Sequence, residues 1–114
     1  MTQKLDHVFH DILETIARIR ELTCGKSLED FDASWQLQWM VQRAIEIISE
    51  ASRSIPDAMA NTRPEIPWRK VRGIGNILRH EYESISHRIL WNVIVDELPR
   101  LKLAVESLAA TRPE

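Results

Sequence analysis

Five polar residues recur along one stretch of the chain at helical steps: Arg72, Asn76, Arg79, His80 and Glu83. On an α-helix the steps i, i+4, i+7, i+8 and i+11 place them on one face. Two arginines offer charge for phosphate, the asparagine offers a hydrogen-bond donor, and the histidine belongs to the residue type that titrates near neutral pH. Cutting RNA without a metal needs that set. A base must take the 2′-hydroxyl proton, an acid must protonate the leaving oxygen, and a cation must face the charge of the phosphorane. A solvated helix face has the same spacing, so the stripe alone leaves both readings open.

The remaining titratable groups read more simply. His7 and His10 lie three residues apart beside Asp6 and Asp11, which superficially allows a metal. No third ligand converges on them, and the acids suit a helix start, so a surface role is expected. His87 stands where a helix begins and fits an exposed or locally hydrogen-bonded position. Glu46 and Glu50 share a helix face by their i, i+4 spacing, either solvated or reaching across to orient Arg79 or Arg72. Cys24 lacks a basic setting that would make it a nucleophile. As the single cysteine it excludes an internal disulfide and a cysteine-based zinc site. Neither a metal nor a cofactor is expected.

The elements that must position the stripe follow from composition and apolar spacing. The chain has 114 residues, 44% hydrophobic and 28% charged, which predicts one domain over residues 1–114 with a core that needs no staples. Disorder is excluded by the apolar content, and linker or collagen-like composition by only three glycines and five prolines. No apolar run approaches the ~20 residues of a membrane span, and the charged first segment is no signal peptide, so the expected compartment is the cytoplasm. The net charge of −2 argues against a generally basic nucleic-acid binder. Residues 63–88, however, hold six basic and three acidic side chains on an otherwise acidic body. Such a segment either attracts phosphate or is a solvated helix surface.

Leu5, Val8, Phe9, Ile12, Leu13, Ile16, Ile19 and Leu22 predict a helix over about residues 6–22, ended by Gly25. A second helix, capped by Asp32 or Ser34, carries Trp35, Met40, Ala44, Ile47, Ile48, Ala51 and Ile55 as far as Pro56. Residues 57–67 read as a loop, because Pro64 and Pro67 block helix through it. Trp68 opens a third helix to about residue 83, and this one holds the stripe. Ser86 caps a fourth, which Pro99 should kink or split. Sustained period-two alternation is absent, so the expected fold is an all-α, up-and-down four-helix bundle. Its apolar stripes leave a seam for a dimer, and the four tryptophans are read as core or interface anchors.

The run Gly73-Ile74-Gly75-Asn76-Ile77-Leu78-Arg79-His80-Glu81-Tyr82 resembles the signature helix of the HepT-like ribonuclease toxins of the HEPN superfamily. Ile66-Pro67-Trp68-Arg69 matches the Pro-Trp lead-in to that helix. Ala44-Ile45-Glu46-Ile47-Ile48-Ser49-Glu50-Ala51 resembles the family's Leu-Glu-Ile-Ile-Gly-Glu-Ala segment on its second helix. Leu90-Trp91 and Leu98-Pro99-Arg100-Leu101 resemble its last helix, so the likeness runs in order over nearly the whole chain.

The resemblance implies an all-α, HEPN-like bundle that forms a homodimer, with two signature helices lining a shared RNA-binding cleft. It implies the toxin of a two-gene toxin–antitoxin pair that cleaves RNA without a metal. The implied partner is a nucleotidyltransferase antitoxin that adenylylates the motif tyrosine. By position His80 is the catalytic histidine and Tyr82 the modified tyrosine. One departure stands out: the family's arginine five residues before the histidine is Gly75 here, whereas the asparagine after it is kept as Asn76. Either Arg79 or Arg72 supplies the lost charge to the phosphate, or the site is catalytically inactive and the chain is a helical binding module for the nucleotidyltransferase. A mid-helix glycine costs about 1 kcal/mol relative to alanine, so close approach of another helix or of RNA backbone is the expected reason for it.

Overall fold

A computed structural model describes residues 2–81 and 85–111, and every regular element among them is helical. Helix α1 spans Thr2–Thr23, α2 Leu28–Ala33, α3 Trp35–Ser52, α4 Asp57–Ala60, α5 Trp68–Glu81, α6 His87–Asn92 and α7 Leu98–Thr111. A π-helical turn, Val93–Glu97, joins α6 to α7 as one long segment. The expected all-α bundle therefore forms from α1, α3, α5 and the α6–α7 segment. Helix α3 lies between α1 and α5, and α7 runs along α1.

The apolar spacing explains that arrangement. Phe9, Ile12, Ile16 and Ile19 of α1, Val41, Ile45 and Ile48 of α3, and Leu101, Val105 and Leu108 of α7 are all buried in one cluster. Each such side chain contributes roughly 1.5–3 kcal/mol on leaving water. Helix α5 adds Trp68 and Leu78, with Val71 and Ile74 packed half-buried against the same cluster. No described helix is long and apolar enough to cross a membrane.

Helix boundaries follow local chemistry. Gly25 adopts a φ of 74°, a conformation that suits glycine just beyond the end of α1. Ser34, rather than Asp32, caps α3 by accepting the Leu37 N–H at 3.1 Å. Asp32 instead pairs with His87 Nδ1. Ser86 caps α6 through the Ile89 N–H, as the sequence predicts.

Two short helices occupy stretches that the apolar spacing leaves blank. Helix α2 starts at a capping box in which Ser27 and Asp30 satisfy each other's backbone N–H. Those bonds from Ser27 hold the Asp30 carboxyl below its ordinary value. Phe31 of α2 is fully buried against the rings of His87 and Trp91, 5.6 and 5.5 Å away. One turn at Asp57–Ala60 forms α4 inside the predicted loop, after Pro56 has ended the path of α3. Pro99 does not split the last helix. Its missing N–H and its bulk disturb the turn before it, where Leu98 donates back five residues to Val93, and the helix then continues to Thr111.

Candidate active site

The first half of α5 is clamped onto the end of α3. The Pro67 carbonyl accepts the N–H groups of Lys70 and Val71 at 2.9 and 3.0 Å, and Trp68 Nε1 donates to the Arg63 carbonyl at 3.0 Å. Gly75 is buried against Ser49. A Cβ on Gly75 would lie 2.8 Å from Ser49 Oγ and 2.9 Å from Ser49 Cβ. The Ser49 hydroxyl accepts the Gly75 N–H and donates to the Arg72 carbonyl, each at 3.0 Å. Arg53 Nε donates to that same carbonyl at 3.1 Å. The glycine thus permits the close approach of α3.

Arg72 is drawn into the same clamp. Its guanidinium pairs with Asp57 at 2.9 Å and donates to the Ile55 carbonyl at 2.9 Å and the Ser52 carbonyl at 3.4 Å. Carbonyls at a helix C-terminus lack partners within the helix, and a cation there satisfies them and favours the dipole. The first arginine of the stripe therefore faces the α3 terminus.

The second half of α5 is open. Asn76, Arg79 and His80 are exposed, on either side of the buried Leu78. Arg79 Nε lies 3.8 Å from Glu46 Oε1, and Arg43 Nη1 lies 3.4 Å from that same oxygen. Glu46 is only 17% exposed and Arg79 51%, so one part-buried carboxylate stands between two solvent-reaching guanidiniums. Glu46 reaches across to Arg79 as one sequence reading has it, whereas Glu50 meets Arg53 on its own helix at 3.6 Å. Trp39, Gln42, Arg43, Glu46, Leu78 and Arg79 line a groove of about 330 Å³ between the two helices. Tyr82 and Glu83 lie outside the described residues.

Other singled-out residues lie apart from this face. His10 pairs with Glu14 at 2.8 Å on the surface of α1. The Arg18 guanidinium, bonded to the Glu14 carboxylate, holds that carboxyl below its ordinary value. Among the described residues no three His, Cys, Asp or Glu side chains are grouped so as to hold a metal ion. Cys24 is exposed. In the electropositive segment Arg63 pairs with Glu65, Arg72 with Asp57 and Arg79 with Glu46.

Several residues that shape this site are not apparent from spacing. Ser49 stands where the resembled segment has glycine, and Gly75 stands where the resembled helix has arginine; the two departures touch each other. The two departures together are the signal that the sequence offers; the contact itself is not legible there. The tryptophans divide: Trp68 is buried and Trp91 half-buried, whereas Trp35 and Trp39 are 57% and 59% exposed. Chemically, the open half offers an imidazole for proton transfer, a guanidinium for a phosphate and an amide to orient it.

The profile of the HepT-like family, described as Ribonuclease HepT-like, matches residues 12–108. A Thermococcus cleftensis protein named "Probable ribonuclease HepT" is 40% identical over 86% of this chain and 89% of its own length. A Methanocaldococcus jannaschii protein named "Putative RNase MJ1380" is 35% identical over 85% of this chain and 89% of its own. One from Caldanaerobacter subterraneus named "Putative RNase TTE0752" is 31% identical over 91% and 89%. No solved structure is significantly similar.

Proposed function

The chain belongs to the HepT-like ribonuclease family, and from that premise we propose that it is a metal-independent endoribonuclease acting at a cleft shared by two copies of the chain. The observation that carries this reading is the open half of α5, where Asn76, Arg79 and His80 stand exposed on a helix otherwise clamped to α3. His80 acts as the general base or the general acid. The 2′-hydroxyl gives up its proton, its oxygen attacks the adjacent phosphorus, the bond to the 5′-oxygen breaks, and that oxygen is protonated as it leaves. Arg79 faces the phosphorane charge in place of the arginine that Gly75 replaces, and Asn76 orients the phosphate. Arg72 serves as a positioning residue that keeps α5 in register on α3.

In this reading the protein is the toxin of a two-gene pair and works in the cytoplasm as one domain. Its partner is a nucleotidyltransferase antitoxin that adenylylates Tyr82. The added phosphate, two residues from His80, would oppose RNA by repulsion and by bulk. Unchanged modification of a Tyr82→Phe chain would remove that switch from the reading.

The test is RNA cleavage by purified protein in excess EDTA, beside His80→Ala and Arg79→Ala. Cleavage that survives the chelator and is lost in both variants, with the helical signal intact, is the expected result. A second reading, a non-catalytic helical module that binds the nucleotidyltransferase, draws on Gly75, which is sealed against Ser49 and has no charge to offer. No cleavage by the unmodified protein, together with capture of the nucleotidyltransferase, would favour it.

A further inference from the structure

We propose that the groove between α3 and α5 is a base-binding subsite that takes one nucleobase of single-stranded RNA, guanine by preference, stacked on the Trp39 indole. This deepens the ribonuclease reading and rests on it. Single-stranded nucleic acid is held by aromatic platforms for the bases and by cations that follow the backbone. Both line this groove: the exposed Trp39 indole, packed edge-on to Trp35 at 4.8 Å, and the Arg43 and Arg79 guanidiniums. Arg79 lines the groove and His80, the next residue of α5, is exposed beside it, so the groove lies next to the proposed catalytic imidazole.

The polar wall supplies the selectivity. Gln42 is buried, and its Nε2 has no hydrogen-bond acceptor among the described residues. One turn earlier on the same helix, Gln38 Nε2 donates to the Phe31 and Asp32 carbonyls at 3.0 and 3.1 Å. An unmet buried donor is a standing cost to the free protein, and an arriving acceptor relieves it. The terminal torsion of glutamine is soft, so a modest rotation presents that N–H to the groove. Glu46 lies four residues on, on the same face, and its contacts of 3.4 and 3.8 Å to the two arginines are long enough to leave its oxygens with capacity to accept. A donor followed by a two-oxygen acceptor matches the edge of guanine: O6 accepts from Gln42, and N1–H and N2–H donate to Glu46. Adenine and uracil leave one carboxylate oxygen unfilled. A second copy of the chain fits less well, because charged side chains are depleted from the cores of protein interfaces and three of them line this groove.

The experiment measures fluorescence anisotropy of labelled 2′-O-methyl hexanucleotides, UUGUUU and UUAUUU, which bind but cannot be cut. Wild type, Trp39→Ala and Gln42→Met are compared, with melting temperature and sedimentation mass recorded for each. The expected results are tighter binding of UUGUUU by wild type and a loss of about five- to a hundred-fold in Trp39→Ala. Gln42→Met should lose the guanine preference while melting no lower than wild type. That combination separates a ligand-reading amide from a structural one. Unchanged affinities in both variants, with wild-type cleavage intact, would overturn the subsite and leave the ribonuclease reading standing. Absence of both binding and cleavage would overturn both. A drop in sedimentation mass of Trp39→Ala would assign the groove to contact between copies and overturn the proposal.

Discussion

Arg72 and Arg79 lie two turns apart on the same helix, yet their surroundings give them opposite employment. Arg72 meets an Asp57 carboxylate and the carbonyls that end α3, and its guanidinium is held at three oxygens. Among the described residues Arg79 meets Glu46 at 3.8 Å, and it stays half in solvent. The difference lies in α3. Where α3 ends, the carbonyls of Ser52 and Ile55 face outward and take a cation, and Ser49 and Gly75 let the backbones come close. Farther from that end the side chains of Gln42 and Glu46 line a groove between the two helices. A helix clamped at one half and open at the other fixes its own functional groups without covering them, which is the preorganisation a catalytic face requires.

The largest test of this contrast is in the open half. His80→Ala should lower the RNA-cleavage rate by about a hundred- to ten-thousand-fold, the range for a general acid or base, with the melting temperature unmoved. An equal fall in melting would make His80 a structural residue and erase the contrast. In the clamped half, Gly75→Ala should destabilise the fold by roughly 1–3 kcal/mol, because Ser49 Oγ and Cβ cannot both move aside. Denaturant melts in a Ser49→Gly background should show that cost cut by about half or more. Additive costs would mean that the Ser49–Gly75 contact is not what holds the helices close.

The two arginines then sharpen the comparison. Arg72→Ala should cost about 1–2 kcal/mol of stability through its lost bonds to carbonyls and Asp57. Arg79→Ala should leave the melt nearly unmoved and flatten the salt dependence of RNA binding by about 0.7 in log–log slope, the value for one single-strand phosphate contact. A flatter slope in Arg72→Ala instead would return that residue to the phosphate. The smallest effect lies far from α5, at the α2 cap. The Asp30 carboxyl is held below its unfolded value by Ser27. Its contribution is therefore present above the ordinary carboxylate range and fades as pH falls through the lowered value. Asp30→Asn should flatten the acid limb of the melting-temperature profile slightly and leave cleavage near neutrality unchanged.

Much of this was legible beforehand. The i, i+3, i+4 recurrence of Phe9, Ile12, Ile16 and Ile19 placed α1, and Ser34 and Ser86 marked the starts of α3 and α6. Helix α2 escapes the apolar spacing because a six-residue element shows too little periodicity; its capping box and Phe31 are the signs the sequence offers. Pro99 reads as a kink or a split because a proline cannot extend an α-helical ladder, and a π turn before it resolves that conflict without ending the helix. Spacing also put Arg72 on the same stripe as His80, since spacing counts residues along one helix and is blind to the end of another.

The sequence by itself determined an all-α chain, the helix that carries Asn76, Arg79 and His80, and the likeness of that helix to a ribonuclease family. These rest on local periodicity, capping and residue order, which one segment can hold alone. Only the tertiary structure decided that Arg72 turns to Asp57, that Gly75 fills against Ser49, and that Gln42 has a donor unmet among the described residues, beside Trp39. Each of these depends on residues 15 or more positions apart, or on the absence of a partner, and a side chain's hydrogen-bonding fate is settled by what packing brings to it rather than by its neighbours in the chain.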